Sequence, residues 1–188
     1  MFFRVCLGIF LLAGLLIAEE IENLALAPEV SYQVYPGNWQ RSLLTDKSLG
    51  GLIDNDWDRE SGQRKNMLVN GKTLESAIRY NYHSALAAER FMVIEFDLGK
   101  PAAVQELKIF AFRNNSLYEM RKVQLESSSD HFVFKQNGAV DLEQIQLEKN
   151  IYRAELRPLD SNMRVLRLYV WGRSWINVTE VEIWGTWQ

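Results

Sequence analysis

The sequence predicts an all-β protein, an antiparallel β-sandwich, and three observations predict it. Apolar and polar residues alternate with a period of two in several runs, as half-buried strands require. Those runs are short and separated by clusters of Gly, Asn, Asp and Ser. The 188 residues are 47% hydrophobic, with six Trp, seven Tyr and nine Phe, side chains that suit a pleated surface. One domain behind a short leader is expected at this length.

Met1-Phe-Phe-Arg4 carries one positive charge, Val5 to Ala18 is a 14-residue apolar run, and Glu19-Glu20-Ile21-Glu22 follows. About 20 apolar residues are needed to span a bilayer, so residues 1–18 read as a secretory signal peptide cleaved after Ala18; the other reading is an uncleaved anchor. The domain then covers 19–188, with no transmembrane segment after signal removal. The expected location is secreted, periplasmic or at the cell surface. Cys6 is the single cysteine, so the mature chain has no disulfide, which suits a bacterial exported domain. On that view the sequons at Asn114 and Asn177 are chance matches.

Asn23 to Val34 is an extended lead-in with Pro28 at a sheet edge, and Tyr35-Pro-Gly-Asn38 is a turn. Trp39 to Asn70 is irregular, and residues 72–90, with Ala77, Ala85, Ala87 and Ala88, predict a short helical insertion. Met92, Ile94, Phe96 and Leu98 then alternate with Val93, Glu95 and Asp97 in a strand ended by Gly99-Lys-Pro101. Val104 to Phe112, Met120 to Ser127, His131 to Lys135, Ile145 to Glu148 and Ile151 to Leu156 are further strands. The last two, Arg164 to Trp171 and Val178 to Trp184, are expected to form a closing hairpin. Its loop, Gly172-Arg-Ser-Trp-Ile-Asn177, sets Trp175 beside Arg173 and Asn177.

The order of short motifs carries a resemblance. Asn23-Leu-Ala-Leu-Ala-Pro28, Leu44-Thr-Asp46, Ile94-Glu-Phe-Asp-Leu-Gly99, Leu125-Glu-Ser-Ser-Ser-Asp130, Arg164-Val-Leu-Arg167 and Val178-Thr-Glu-Val-Glu-Ile-Trp-Gly185 together resemble the discoidin, or coagulation-factor C-type, domain of the galactose-binding-like superfamily. It resembles bacterial carbohydrate-binding modules of that kind over residues 23 to 187. The chain departs from the pattern at Lys47, where the family usually has Gly, and at His131-Phe132, where Gly precedes Trp. The resemblance implies a jelly-roll sandwich whose loops at one end bind ligand. It also implies one structural calcium ion, held by Asp46 and Glu180 with carbonyls of Leu43 and Ser48; Asp54, Asp56 and Asp58 are an alternative cluster. Hard oxygen donors in a loop suit that ion, and solvated turn acids are the other reading.

For a sugar, an aromatic face and directional polar donors are needed. Trp175, Arg113 and Asn115 match the family's binding loops, and Trp57, Arg59 and His83, with Trp39, are further candidates. Trp175 either meets a ligand or covers the end of the sheet. A net charge of −3 without a basic stripe excludes a nucleic-acid partner. Two His, no Cys in the mature chain and no nucleophile or metal-protease motif leave no catalytic residue and no enzyme. The expected function is an exported, non-catalytic module binding a glycan or glycoconjugate. The alternative is a protein–protein or scaffolding module partnered by another extracellular protein.

Overall fold

Two long strands run through both halves of the molecule and set its architecture. The computed structural model describes residues 20–36, 52–54, 86–113, 115–157 and 162–188, and of 36, 52–54 and 86–90 the backbone path alone. In chain order the strands are β1 Glu22–Asn23, β2 Ser31–Pro36, β3 Leu52–Asp54, β4 Leu86–Phe112, β5 Met120–Ser128, β6 Lys135–Asp141, β7 Gln146–Glu148, β8 Ile151–Leu156 and β9 Met163–Trp187. Short 3-10 turns at Leu24–Leu26 and Leu142–Gln144 complete the described residues.

The first half of β4 lies between β2 and the first half of β9, with Val34 opposite Ile94 and Ile94 opposite Leu168. β5 and then β6 extend this layer beyond β9, with Leu125 opposite Leu168 and Gly138. The second half of β4 instead meets the second half of β9, β8 and, through β8, β7, with Ile109 opposite both Val181 and Ala154. Partner numbers fall along β9 as they rise along β4, from Phe91–Trp171 to Asp97–Val165 and again from Ala102–Trp187 to Ala111–Val178. Both halves therefore pair in the antiparallel sense. Ala102 faces both Met163 and Trp187, so it marks where the two layers diverge. Gly99 makes the bend beside it with φ +79, its amide donating to Asp97 Oδ1 at 2.8 Å; glycine reaches that left-handed region without a Cβ clash.

One core fills the space between the layers. Ile94, Phe96, Leu125 and Leu168 enter it from the first and Ile109, Ala154 and Ile183 from the second. The alternation expected from the sequence places these residues: Leu166, Leu168 and Val170 point inward and Arg167, Tyr169 and Trp171 outward. The all-β sandwich is present. β1 closes it by pairing Glu22 with Gly185 and Asn23 with Trp184, and Asn23 Oδ1 accepts from the Ile183 amide at 3.0 Å.

Several expectations are corrected. The helix expected over 72–90 does not reach its end, because 86–90 belong to β4 and pair with β3 and β9; cross-strand pairing overrides the helix propensity of Ala. Residues 72–85 lie outside the described residues. The terminal pair of strands is no hairpin: each half of β9 pairs with β4, one in each layer. His131 to Lys135 is not a strand. Asp130 Oδ1 accepts from the amides of Phe132 and Val133, His131 has φ 68, and Phe132 is left 87% exposed. β6 starts only at Lys135, and β3 interrupts a segment expected to be irregular.

On the outer face of the first layer Phe91, Tyr169 and Trp171 cluster, with ring centroids 5.0 to 6.2 Å apart. Burial, and then the hydrogen bond its hydroxyl donates to Glu126 at 2.7 Å, push the Tyr169 phenol up to about 12. The folded state thus holds this proton more tightly than the unfolded chain. The stabilisation is complete below the ordinary value of 10.0 and is lost as pH rises from there towards about 12. In a spectrophotometric titration Tyr169 should ionise late, near 12, and Tyr169→Phe should remove that step. Ordinary ionisation of every tyrosine would contradict this.

Candidate ligand-binding site

At one end of the sandwich the sequence-predicted loops come together. Arg113 leaves β4 and its amide donates to the carbonyl of Asn150 at 2.8 Å, tying the β4–β5 loop to the β7–β8 turn. Asn115 Oδ1 accepts from the Leu117 amide at 2.8 Å and its carbonyl from the Tyr118 amide at 3.1 Å, so this side chain shapes the loop, as Asn does in turns. The amide of Trp175 donates to the Leu117 carbonyl and that of Arg173 to the Glu119 carbonyl, each at 3.0 Å. Gly172 is what allows this approach: a Cβ there would stand 2.8 Å from the Glu119 oxygen and 2.4 Å from Ile176 Cγ1.

The Trp175 indole lies 6.4 Å from the Tyr118 ring at 33° and is half-buried. Among the described residues Trp187 packs against the core cluster. Arg113 sits close enough to Tyr152 for its charge to offset part of the rise that burial imposes on that phenol. Trp175, Arg113 and Asn115 are thus brought into one loop cluster. Trp39, Trp57, Arg59 and His83 lie outside the described residues, as does most of the long segment that carries them.

Beside this cluster β9 crosses between the layers. Phe110 faces Glu180 whereas Ala111 faces Val178, so Thr179 is an extra residue, a β-bulge. Its hydroxyl donates to the Phe110 carbonyl at 3.2 Å. The bulge changes the phase of the strand: Ile176 and Val178 point into the core before it, Val181 and Ile183 after it. Asn177 and Glu180 thereby fall on the same, outer face. Glu180 is 0% exposed and Asn177 2%, so the second sequon offers no accessible acceptor. Asn114 lies outside the described residues. A carboxylate this deep needs a partner, which Glu180 has, and Asn177 Oδ1 is a buried oxygen without a hydrogen-bond partner among the described residues. These two oxygens fit the donor chemistry of a hard divalent cation. Asp46, Leu43 and Ser48 lie outside the described residues, as do Asp56 and Asp58. Among the described residues no group of three His, Cys, Asp or Glu could hold a metal.

No family model and no curated protein matches the chain. Solved structures do. A mutant of the lectin binding domain of lectinolysin, complexed with Lewis b, is 14% identical, with 89% of this chain and 99% of that one covered and a TM-score of 0.56. A carbohydrate-binding module from Clostridium perfringens, in complex with GalNAc-β-1,3-galactose, is 11% identical over 86% and 99%, with a TM-score of 0.53. The fold of this chain is the β-sandwich of these structures. A Ruminococcus gnavus fucosidase in complex with fucose is 11% identical with a TM-score of 0.54; 88% of this chain is covered, and the chain spans 27% of the fucosidase's length. The β-sandwich implied by the motif resemblance is the architecture observed. The bulge at Thr179 and the β3 pairing were missed; the run Val178-Thr-Glu-Val181, apolar positions three apart rather than two, was the available signal for the first.

Proposed function

We propose that this chain is an exported, non-catalytic carbohydrate-binding module. The observation that carries the reading is the half-buried Trp175 ring, beside the Tyr118 ring, tied by its amide to the Leu117 carbonyl and accompanied by Arg113, Asn115 and Arg173. An aromatic face fixed before binding, with directional donors around it, is what a pyranose ring requires. Structures of the same fold bind Lewis b and GalNAc-β-1,3-galactose, which supports the same ligand class here. Mechanistically the site would only dock its ligand. A glycan array probed with purified residues 19–188 tests the proposal: binding to a defined set of sugars is expected, and no binding to any would overturn it.

A calcium ion at Glu180 is the second part of the reading. Glu180 and Asn177 would supply oxygens from β9, and Asp46 with the carbonyls of Leu43 and Ser48 the remainder, so that the ion would fix the first long loop to the strand. A ligand present at a hundred times its dissociation constant stabilises by about 2.7 kcal/mol, roughly 5 to 10 °C for a chain of this size. Calcium should raise the melting midpoint by that amount over chelator, and Glu180→Gln should abolish the difference. Equal midpoints with calcium and chelator would remove the ion from the proposal.

A further inference from the structure

The outer face of the second layer changes character along its length. Away from the loop end it is a ladder of charges: Lys108 pairs with Glu106 at 3.1 Å and Glu182 at 3.9 Å, and Arg157 with Glu106 and with Glu155 at 3.4 Å. Towards the loop end the ladder gives way to Phe110 and Ile151, a small apolar cluster with Phe112 packed against it. A pocket of about 100 Å³ opens there, lined by Phe110, Gln146, Glu148, Lys149, Ile151 and Arg153.

The register builds this pocket. Gln146 lies opposite Arg153 and Arg153 opposite Phe110; Glu148 lies opposite Ile151 and Ile151 opposite Phe112. The wall at its mouth is the β7–β8 turn, where Lys149 and Asn150 have φ 47 and 69, the left-handed pair of a tight two-residue hairpin turn. Arg153 is held in place: its guanidinium donates to Gln146 Oε1 and its Nε lies 3.1 Å from Glu155. Glu148 and Lys149 make no side-chain hydrogen bond or ion pair among the described residues.

The geometry points to this pocket as an accessory site for one saccharide ring, next to the loop-end site and resting on the glycan reading of it. The floor is apolar, as the C–H face of a sugar needs. The rim presents an acceptor in Glu148 and donors in Lys149 and Arg153, and hydroxyl groups both donate and accept. An anionic ligand would meet Glu148, and a cationic one Lys149 and Arg153, so the mixed rim selects a neutral polyhydroxylated ligand. The hydrogen bond from the Arg113 amide to the Asn150 carbonyl couples the pocket's turn to the loop carrying the candidate residues.

Calorimetric titration of the GalNAc-β-1,3-galactose disaccharide and Lewis b, beside free galactose, N-acetylgalactosamine and fucose, tests this. The variants are Glu148→Ala and Lys149→Asn, the latter keeping a residue that tolerates the left-handed turn, with Arg153→Ala as a third and melting midpoints as the folding control. Oligosaccharide binding is expected to weaken at least fivefold in folded variants, with monosaccharide binding unchanged, and amide shifts of residues 146–153 should move on saturation. Unchanged oligosaccharide binding in these variants, with Trp175→Ala abolishing it, would overturn the accessory site and leave the loop-end site standing. No binding of either oligosaccharide by the unaltered protein would overturn the accessory site, and the glycan array then decides the loop-end reading.

Discussion

Trp175→Ala should cost the protein roughly thirtyfold in affinity for whatever sugar it binds, with its melting midpoint little changed. An aromatic side chain of this kind buries 150–250 Å² when fully covered. If a sugar covers about 80 Å² of the ring, at about 25 cal/mol per Å² the contact is worth about 2 kcal/mol. The folding cost should be small because the indole contacts Tyr118 and stays out of the core cluster. Calorimetry on the sugar selected by the array, paired with thermal melts, separates the two effects. A loss below twofold would move the binding face elsewhere. A collapse of the midpoint would make the indole a packing residue.

The largest effect on stability is expected at Gly185. A Cβ built there would stand 2.3 Å from the Ala103 carbonyl oxygen and 3.0 Å from the Val104 Cα. Both are backbone atoms of β4, so no side chain can rotate away to make room. Overpacking costs typically 1–3 kcal/mol, and this contact lies at the upper end, about 3 kcal/mol. For a chain of this length Gly185→Ala should lower the midpoint by roughly 6–12 °C. Gly185 also faces Glu22 of β1, so amide exchange in β1 should quicken in the same variant. A midpoint within 2 °C of the parent, about half a kcal/mol, would show that β9 shifts freely at this point.

The face of each long strand was legible because burial enforces period two. Ile94, Phe96, Leu98 and Leu166, Leu168, Val170 carry an unbroken signal, and each reaches the core. The pairing was less legible. Arg164 to Trp171 and Val178 to Trp184 look like a hairpin because they are adjacent in sequence and joined through a glycine. Nothing in either run records that β4 supplies a partner to each half. β6 escaped notice since Lys135-Gln-Asn-Gly-Ala-Val-Asp141 has one buried apolar residue, Val140. Residues 86–90 read as helix from their alanines because propensity is local and the β3 and β9 pairings are not. At the loop end, Trp175, Arg113 and Asn115 were candidates through the motif resemblance, and the structure brings their loops together. The role of Asn115 Oδ1 in closing its own loop on Leu117 depends on a geometry the sequence does not encode by itself.

The pairing of β1 with the end of β9 has a consequence for how the module is presented. Glu22 and Gly185 are direct neighbours, so the chain enters and leaves the sandwich at one pole. Trp175 stands ten residues earlier on β9 than Gly185, and at about 3.3 Å per residue that is roughly 30 Å towards the opposite pole. A tether through residue 20, through residue 188 or through both would hold the indole pointing away from its attachment. The sandwich then acts as a spacer, and the loop end with Trp175 is the side farthest from such a tether.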